Sequence, residues 1–517
     1  MSDQLKAAFA LLPGLLGQHV LLSLSALVLG LALSLPLAVL AARNASVRWP
    51  MLALASLIQT IPGLALLALF YPLLLALSAL IGPVFGHRLQ ALGFLPSLLA
   101  LTLYSMLPVL RNAVAGLTGV DAAVREAADG LGMTPSQKLW RVELPLAAPV
   151  IMAGARTAAV WTIGAATLST PVGQPSLGDY IFAGLQTENW VFVLFGCAAS
   201  AVLALVADQL LGLIEAGLAK RDHRRVLAGA IGLVVGALAA ISPMLAQASG
   251  PRYVIGAKNF SEQFILAEMM AGRLRSKGAS VQTREGLGSA VIFRALAAGD
   301  LDAYVDYSGT LWTNVLGRRD IPSRQAMLEA LQRELKARYG VTLLGPLGFE
   351  NAYALAMKAD KAKALGIATI ADLAPASPRL KLASDLEFLS RPEWAAIRQA
   401  YGLNFQSQRS YSPTFMYRAL ESGEADVISA FSSDGRIAAD HLTVLADPKG
   451  AVPSYDAVVL ISPRRAGDAR LKAALQPLIG RIPVEAMRQA NLTIDRDQDK
   501  ATPADAARKL SATLRLN

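Results

Sequence analysis

Cysteine is all but missing from these 517 residues. Cys197 stands alone inside an apolar run, which excludes an intrachain disulfide and a cysteine-based metal site. The four histidines, His19, His87, His223 and His441, are scattered and show no metal-ligand spacing. Charge is scarce in one part of the chain: residues 1–217 hold 18 of the 86 Asp, Glu, Lys and Arg side chains. That poverty, with a mean hydropathy of +0.43, excludes a wholly water-soluble protein. The last 300 residues carry the other 68 charges and read as an ordinary aqueous domain. The net charge of +10 does not indicate nucleic-acid binding, because the basic residues of the first half sit in short connectors between apolar runs.

Runs long enough to cross about 30 Å of hydrocarbon, at roughly 20 residues each, occur at Val20–Ala42, Leu52–Leu80, Leu92–Leu110, Leu146–Leu168, Trp190–Leu213 and Val226–Leu245. Six membrane spans are therefore predicted. Arg43 and Arg48, then Arg111, Arg125, Lys138 and Arg141, then Lys220, Arg221, Arg224 and Arg225 fall in alternate connectors, which places those connectors in the cytoplasm. The opposite connectors carry only Lys6 and Arg88, and no Lys or Arg stands between Thr170 and Trp190. The N-terminus and everything after the linker Ala248–Pro251 are thus expected outside the membrane. The segment His223–Gln247 has the form of a signal peptide, but it lies inside one chain and is read as a retained sixth span.

From Tyr253 onward short β-type runs alternate with helical ones. Tyr253–Gly256 precedes a helix over Ser261–Ser276, and Val281–Arg284 precedes one near Ala290–Ala298. Leu380–Ala383, Asp426–Phe431 and Ala457–Ile461 have the character of buried parallel strands. An α/β domain of this size is expected to form two lobes with a ligand cleft between them.

The connector after the third run reads Glu126-Ala127-Ala128, then Gly132, then Val142-Glu143-Leu144-Pro145. Gly132 permits a sharp turn between two short helices, and Pro145 is expected to end the second of them. This spacing resembles the EAA motif of ABC-importer permeases, where the loop docks a separate ATPase. No Gly-x-x-x-x-Gly-Lys-Ser/Thr loop is present, so the ATP and magnesium are expected on that partner, with no cofactor in this chain. In the second half, Ile255-Gly256-Ala257-Lys258-Asn259-Phe260-Ser261-Glu262-Gln263, Asp306-Tyr307-Ser308-Gly309-Thr310 and Ala430-Phe431-Ser432-Ser433-Asp434-Gly435-Arg436-Ile437 resemble landmarks of glycine betaine/carnitine/choline-type substrate-binding proteins. The whole chain resembles a fused permease and substrate-binding protein of the osmoprotectant ABC-importer family.

That resemblance implies an all-α polytopic permease over 1–219, a sixth transmembrane helix and linker over 220–252, and a two-lobed α/β periplasmic-binding-protein-like domain over 253–517. Lobe one is expected at about 253–348 plus 449–517, and lobe two at about 349–448. It further implies a multi-pass protein of the bacterial inner membrane, acting as a homodimer with a separate ATPase, and not an enzyme. A quaternary ammonium has no N–H donor and is held best by aromatic faces, at roughly 0.5–2 kcal/mol per ring. The matching rings are Tyr307, Tyr353, Phe431 and Tyr455, with Tyr411 and Tyr417 in reserve. A carboxylate on the ligand would be met by Lys258, Thr310 and Arg391. Asn351 departs from the family pattern, in which an acid sometimes stands there, and Asp306 is a reserve anion. Glycine betaine-type zwitterions fit best, with ergothioneine and choline as alternatives. A membrane-anchored sensor is a rival class, against which the EAA loop argues. No nucleophile–base or paired-carboxylate motif supports an enzyme.

Overall fold

Long apolar runs become helices in the first half of the chain, and the computed structural model describes residues 3–516 except 86–90, 188, 247–251, 386, 412 and 497–498. The linker expected at Ala248–Pro251 lies outside the described residues. Cα packing divides the chain into two units: Ala8–Ile181 with Leu194–Ala248, and Ser249–Asn517 with Met1–Ala7 and Phe182–Val193.

The apolar helices are α1 (Asp3–Arg43), α2 (Ala45–Thr60), α3 (Gly63–Phe85), α4 (Phe94–Thr118), α7 (Leu144–Ala166), α9 (Trp190–Ala219) and α10 (His223–Ala246), with short α5 (Ala122–Gly130), α6 (Pro135–Lys138) and α8 (Gly178–Gln186) between them. Among the described residues five helical stretches are long and apolar enough to cross a membrane, or six if α2 and α3 count as one span. The run Leu52–Leu80 is therefore not the single straight helix its composition predicts. It bends by 100° between α2 and α3. The cause is Pro62, which lacks an N–H and forces Ile61 into the extended region (φ −70°, ψ 126°). Within this unit Arg156 of α7 reaches Asp208 at 2.5 Å and Glu215 at 3.3 Å on α9. Gly212 makes room for it, since a Cβ there would lie 3.2 Å from the guanidinium carbon.

The loop between α4 and α7 shows why its motif is spaced as it is. Asp121 caps α5 by accepting the Ala123 N–H. At the other end Met133 N–H donates to Ala128 O and Gly132 N–H to Asp129 O, a Schellman closure that needs the left-handed φ of +72° at Gly132. The interval from Ala128 to Gly132 is thus the span of one helix terminus. Lys138 pairs with Asp129 at 2.6 Å across the turn. Glu126 and Ala127 are exposed while Ala128 is buried, and Leu131 and Trp140 present apolar surface. Pro145 does not end a helix. A π-turn at Leu139–Glu143 carries the chain into α7, where Leu144 opens the helix and Pro145 occupies its first turn. Glu143, buried, pairs with Arg43 at 2.5 Å.

The second half builds two five-stranded sheets. In the first, β1 (Arg252–Gly256), β2 (Ser280–Arg284), β3 (Ala303–Tyr307), β4 (Thr342–Glu350) and β10 (Asp456–Ile461) lie in the order β2-β1-β3-β10-β4. In the second, β5 (Tyr353–Lys358), β6 (Lys381–Ser384), β7 (Ser407–Ser410), β8 (Val427–Phe431) and β9 (Leu442–Val444) lie in the order β7-β6-β8-β5-β9. The helices α11 (Ser261–Ser276) and α12 (Ser289–Ala298) follow β1 and β2, as expected. The parallel expectation holds for β6, holds on one side only for β8, which is parallel to β6 and antiparallel to β5, and fails for the last of the three runs. The strand over Ala457–Ile461 runs antiparallel to both neighbours, β3 and β4. Its six buried residues reflect cover on both faces, which hydrophobicity reads correctly while strand direction stays invisible to it. Two chain crossings link the sheets, one through Asn351 and Ala352, the other through Tyr455. Asn351 N–H donates to Tyr455 O at 2.9 Å and so ties the crossings together.

Candidate functional site

Strand ends and first helical turns deliver the site's side chains, because backbone leaving a buried sheet is where polar groups can face a cleft. From the first sheet, Lys258 follows β1, Tyr307 ends β3, Thr310 lies in the next turn and Tyr455 precedes β10. From the second, Tyr353 opens β5, Phe431 ends β8 and Arg391 precedes the helix Pro392–Tyr401. Together with Asn351 these eight residues line one cavity of about 130 Å³ between the two lobes.

The rings form a connected wall. Tyr353 lies 4.7 Å from Phe431 and 5.9 Å from Tyr455, centroid to centroid. A fifth ring, Phe260, was not singled out by sequence. It stacks on Tyr307 at 6.1 Å and on Phe431 at 5.6 Å. Its signal was present, since it stands in the Lys-Asn-Phe-Ser-Glu-Gln motif. Gly309 explains the glycine of Asp-Tyr-Ser-Gly-Thr: a Cβ there would come within 2.5 Å of the Tyr455 ring.

The cations are engaged by protein acids. Lys258 Nζ donates to Asp306 at 2.5 Å and lies 5.2 Å over the Tyr307 ring. Arg391 donates to Glu393 through Nε at 3.2 Å and Nη2 at 3.1 Å, and to Glu387 through Nη1 at 3.4 Å. Nη2 also reaches Thr310 Oγ1 in the other lobe at 3.4 Å. Glu393 takes hydrogen bonds from Tyr455 and, at 3.0 Å, from Thr313. The Arg391 guanidinium holds the Glu393 carboxyl below its usual range against the opposing effect of burial, the largest influence on it.

Behind Tyr307 stands Glu262, in the first turn of α11. Its Oε1 accepts from Tyr307 Oη at 2.5 Å and Asn351 Nδ2 at 3.0 Å, and its Oε2 from Ser433 Oγ at 2.5 Å and Asn491 Nδ2 at 3.1 Å. Burial raises its pKa while these four donors oppose the rise. Asn351 Oδ1 is buried without a hydrogen-bond partner. Asp385, whose carboxyl burial also raises, and Glu387 complete the wall. Glu262 was legible in the motif. Glu393 was not singled out although it stands two residues after Arg391, in the first turn of the helix that Arg391 precedes, and Asn491 carried no signal, being brought in from a distant helix. The reserve residues lie elsewhere: Tyr417 donates to Asp434 and carries the Arg436 guanidinium 5.0 Å over its ring, Tyr411 packs on another core, and Asp306 is spent on Lys258.

A membrane unit followed by a two-sheet domain with a ring-lined cleft defines a class of importer subunit. Residues 251–512 match the family described as the substrate binding domain of an ABC-type glycine betaine transport system, and residues 34–220 match the binding-protein-dependent transport system inner membrane component. The chain belongs to this family: it is a fused permease and substrate-binding subunit of an ABC importer for osmoprotectant-type substrates. It is a membrane protein and a transport subunit, and its family implies an ATPase partner and a small-molecule ligand. The ergothioneine transport permease/ergothioneine binding protein of Helicobacter pylori (strain G27) is 29% identical over 81% of this chain and 75% of its own length. The choline transport system permease protein of Bacillus subtilis (strain 168) is 38% identical over 40% of this chain and 89% of its own. A crystal structure of a glycine betaine/carnitine/choline ABC transporter is 27% identical, with a TM-score of 0.44, over 51% of this chain and 98% of that one.

Proposed function

We propose that the chain captures a trimethylammonium zwitterion outside the membrane and passes it to its own permease unit, driven by a separate ATPase that holds the ATP and magnesium. The observation that carries this reading is the convergence of Phe260, Tyr307, Tyr353, Phe431 and Tyr455 on one cavity. A quaternary ammonium offers no hydrogen-bond donor, so aromatic faces are its natural partners. Lys258, Thr310, Asn351 and Arg391 supply the polar end of the site. The divisions at 1–219, 220–252 and 253–517, the extracytoplasmic placement of the last segment in a bacterial inner membrane, and a pair of these chains per transporter belong to the same proposal.

Among such zwitterions ergothioneine comes first. The wall offers acceptor oxygens on Asp385 and Glu387, which already hold protein donors, and on Asn351, whose Oδ1 is unpartnered, and an acceptor left unpaired in a buried site costs free energy. Ergothioneine has ring N–H donors for them and glycine betaine has none. The Helicobacter pylori relative named for ergothioneine matches both halves of the chain. Calorimetric titration of the full-length chain in lipid nanodiscs with ergothioneine, glycine betaine, carnitine and choline tests the reading. Ergothioneine is expected to bind tightest, and failure of all four to bind overturns the ligand class.

A further inference from the structure

Five carboxylates stand near the cavity, and four are accounted for. Asp306 is paired with Lys258, and Glu393 and Glu387 with Arg391. Asp385 also accepts only uncharged donors, the backbone N–H groups of Glu387 and Phe388 and the Ser429 hydroxyl, but it stands within the field of the Arg391 guanidinium. Glu262 differs. It is 2% exposed, and all four of its hydrogen-bond donors, Tyr307, Asn351, Ser433 and Asn491, are uncharged. Both amides point their N–H groups at it, leaving their own Oδ1 atoms without partners, so the pocket is built for an acceptor at every lone pair of a carboxylate. A buried charge without a counter-ion is costly unless something binds to compensate it.

Two of those donors, Tyr307 and Asn351, line the ligand cavity, whereas Glu262 does not. It adjoins a second, smaller space of about 40 Å³ on the far side of Phe260, Asn351 and Phe431, which Arg436 also lines, although the ion pair of that guanidinium is with Asp495 at 4.0 Å. We propose that Glu262 is the counter-charge for the ligand's ammonium group, acting through the Tyr307 ring and the Asn351 amide without touching the ligand. The inference rests on the trimethylammonium reading above. A phenol donating to a carboxylate has a more electron-rich ring face, which strengthens its hold on a cation. The bare charge adds to this. A cation seated on that face lies on the order of 7 Å away, and at an effective dielectric of about 20 the attraction amounts to roughly tenfold to a hundredfold in affinity. The charge that a family acid would bring at position 351 thus stands one residue deeper, and Asn351 relays it. Tyr455 makes the same kind of bond to Glu393, but there Arg391 cancels the charge, so of the two tyrosine–carboxylate bonds in the cage only that to Glu262 keeps its charge.

The test compares glycine betaine with its carbon isostere 3,3-dimethylbutanoate, which has the same shape and carboxylate but no ammonium charge, on the full-length chain in nanodiscs. Glu262→Gln is expected to lower the betaine-to-isostere affinity ratio by tenfold or more, whatever it does to binding of both ligands in common. A residue that merely shapes the site would weaken both ligands alike, and an unchanged ratio overturns the proposal. Should Glu262→Gln fail to fold, Tyr307→Phe keeps the ring and the carboxylate while cutting the link between them. It is expected to lower the same ratio by severalfold, and an unchanged ratio again overturns the proposal. A wild-type chain that binds neither glycine betaine nor any other trimethylammonium compound overturns the ligand class itself, and the proposal with it.

Discussion

The guanidinium of Arg391 lies 4.9 Å above the ring of Tyr353. One residue of the cage therefore already carries a cation on its face, and that cation is also bound to Glu393 and Glu387. Arg391→Ala would leave both carboxylates uncompensated. It is expected to weaken carboxylate-bearing ligands by about tenfold or more while leaving choline unchanged or tighter, as calorimetry on the purified chain would show. Equal losses for both ligands would remove Arg391 from the carboxylate end of the site.

Removing a ring tests the cage. Tyr307→Ala and Tyr455→Ala should each cost on the order of 1–2 kcal/mol, roughly 5- to 30-fold in affinity for a trimethylammonium ligand. Phe260→Ala is expected to cost about as much, because the ring it removes supports both Tyr307 and Phe431. Wild-type affinity in Phe260→Ala would exclude that ring from binding.

Acidity should act through Asp495, which accepts from Ser261 at 2.5 Å and has its carboxyl pushed up to about 6 by burial, against the pull of Arg436 4.0 Å away. Its pKa is higher folded than unfolded, so its contribution to stability is fully present below the unfolded value near 4 and is lost as the pH rises through about 6. Thermal denaturation between pH 4 and 7 should show a decline that Asp495→Asn flattens, on the order of 3 kcal/mol in size. Parallel curves for the two proteins would show that Asp495 does not titrate in this range.

Docking of the ATPase should depend on the exposed end of α5. Glu126→Lys reverses a charge there, and a bulky residue at Gly132 must adopt a φ of +72° that only glycine takes without strain. Both are expected to abolish ligand-stimulated ATP hydrolysis in the reconstituted complex and to leave ligand affinity within twofold of wild type. A loss of affinity alongside the loss of hydrolysis would mean that the substitutions damage the fold.

If two of these chains form one transporter, as proposed, copurification with the partner ATPase should yield two copies of each chain. Mass photometry of an active 1:1 complex would contradict this arrangement.

Hydropathy and charge alone placed the membrane helices, because water and hydrocarbon sort side chains without reference to their neighbours. They missed the 100° bend at Ile61–Pro62, which arises from a lost backbone donor and leaves the apolar run uninterrupted. The motifs named eight of the residues that line the cleft but not Phe260, Asp385 or Glu387, and most of the eight stand at a strand end or in the first turn after one, where local chain geometry fixes their position. Sequence also set the Ala128–Gly132 interval, a matter of one helix terminus. What only the tertiary structure decided is where the charges go. Lys258 and Arg391 read as free cations along the chain, yet folding sets Asp306 and Glu393 against them. It also surrounds Glu262 with amides and hydroxyls drawn from positions 307, 351, 433 and 491. Coulomb interactions in a buried site depend on distances of a few ångströms: the Lys258–Asp306 distance exists only once β1 lies beside β3, and the shell of Glu262 only once residues from both sheets meet.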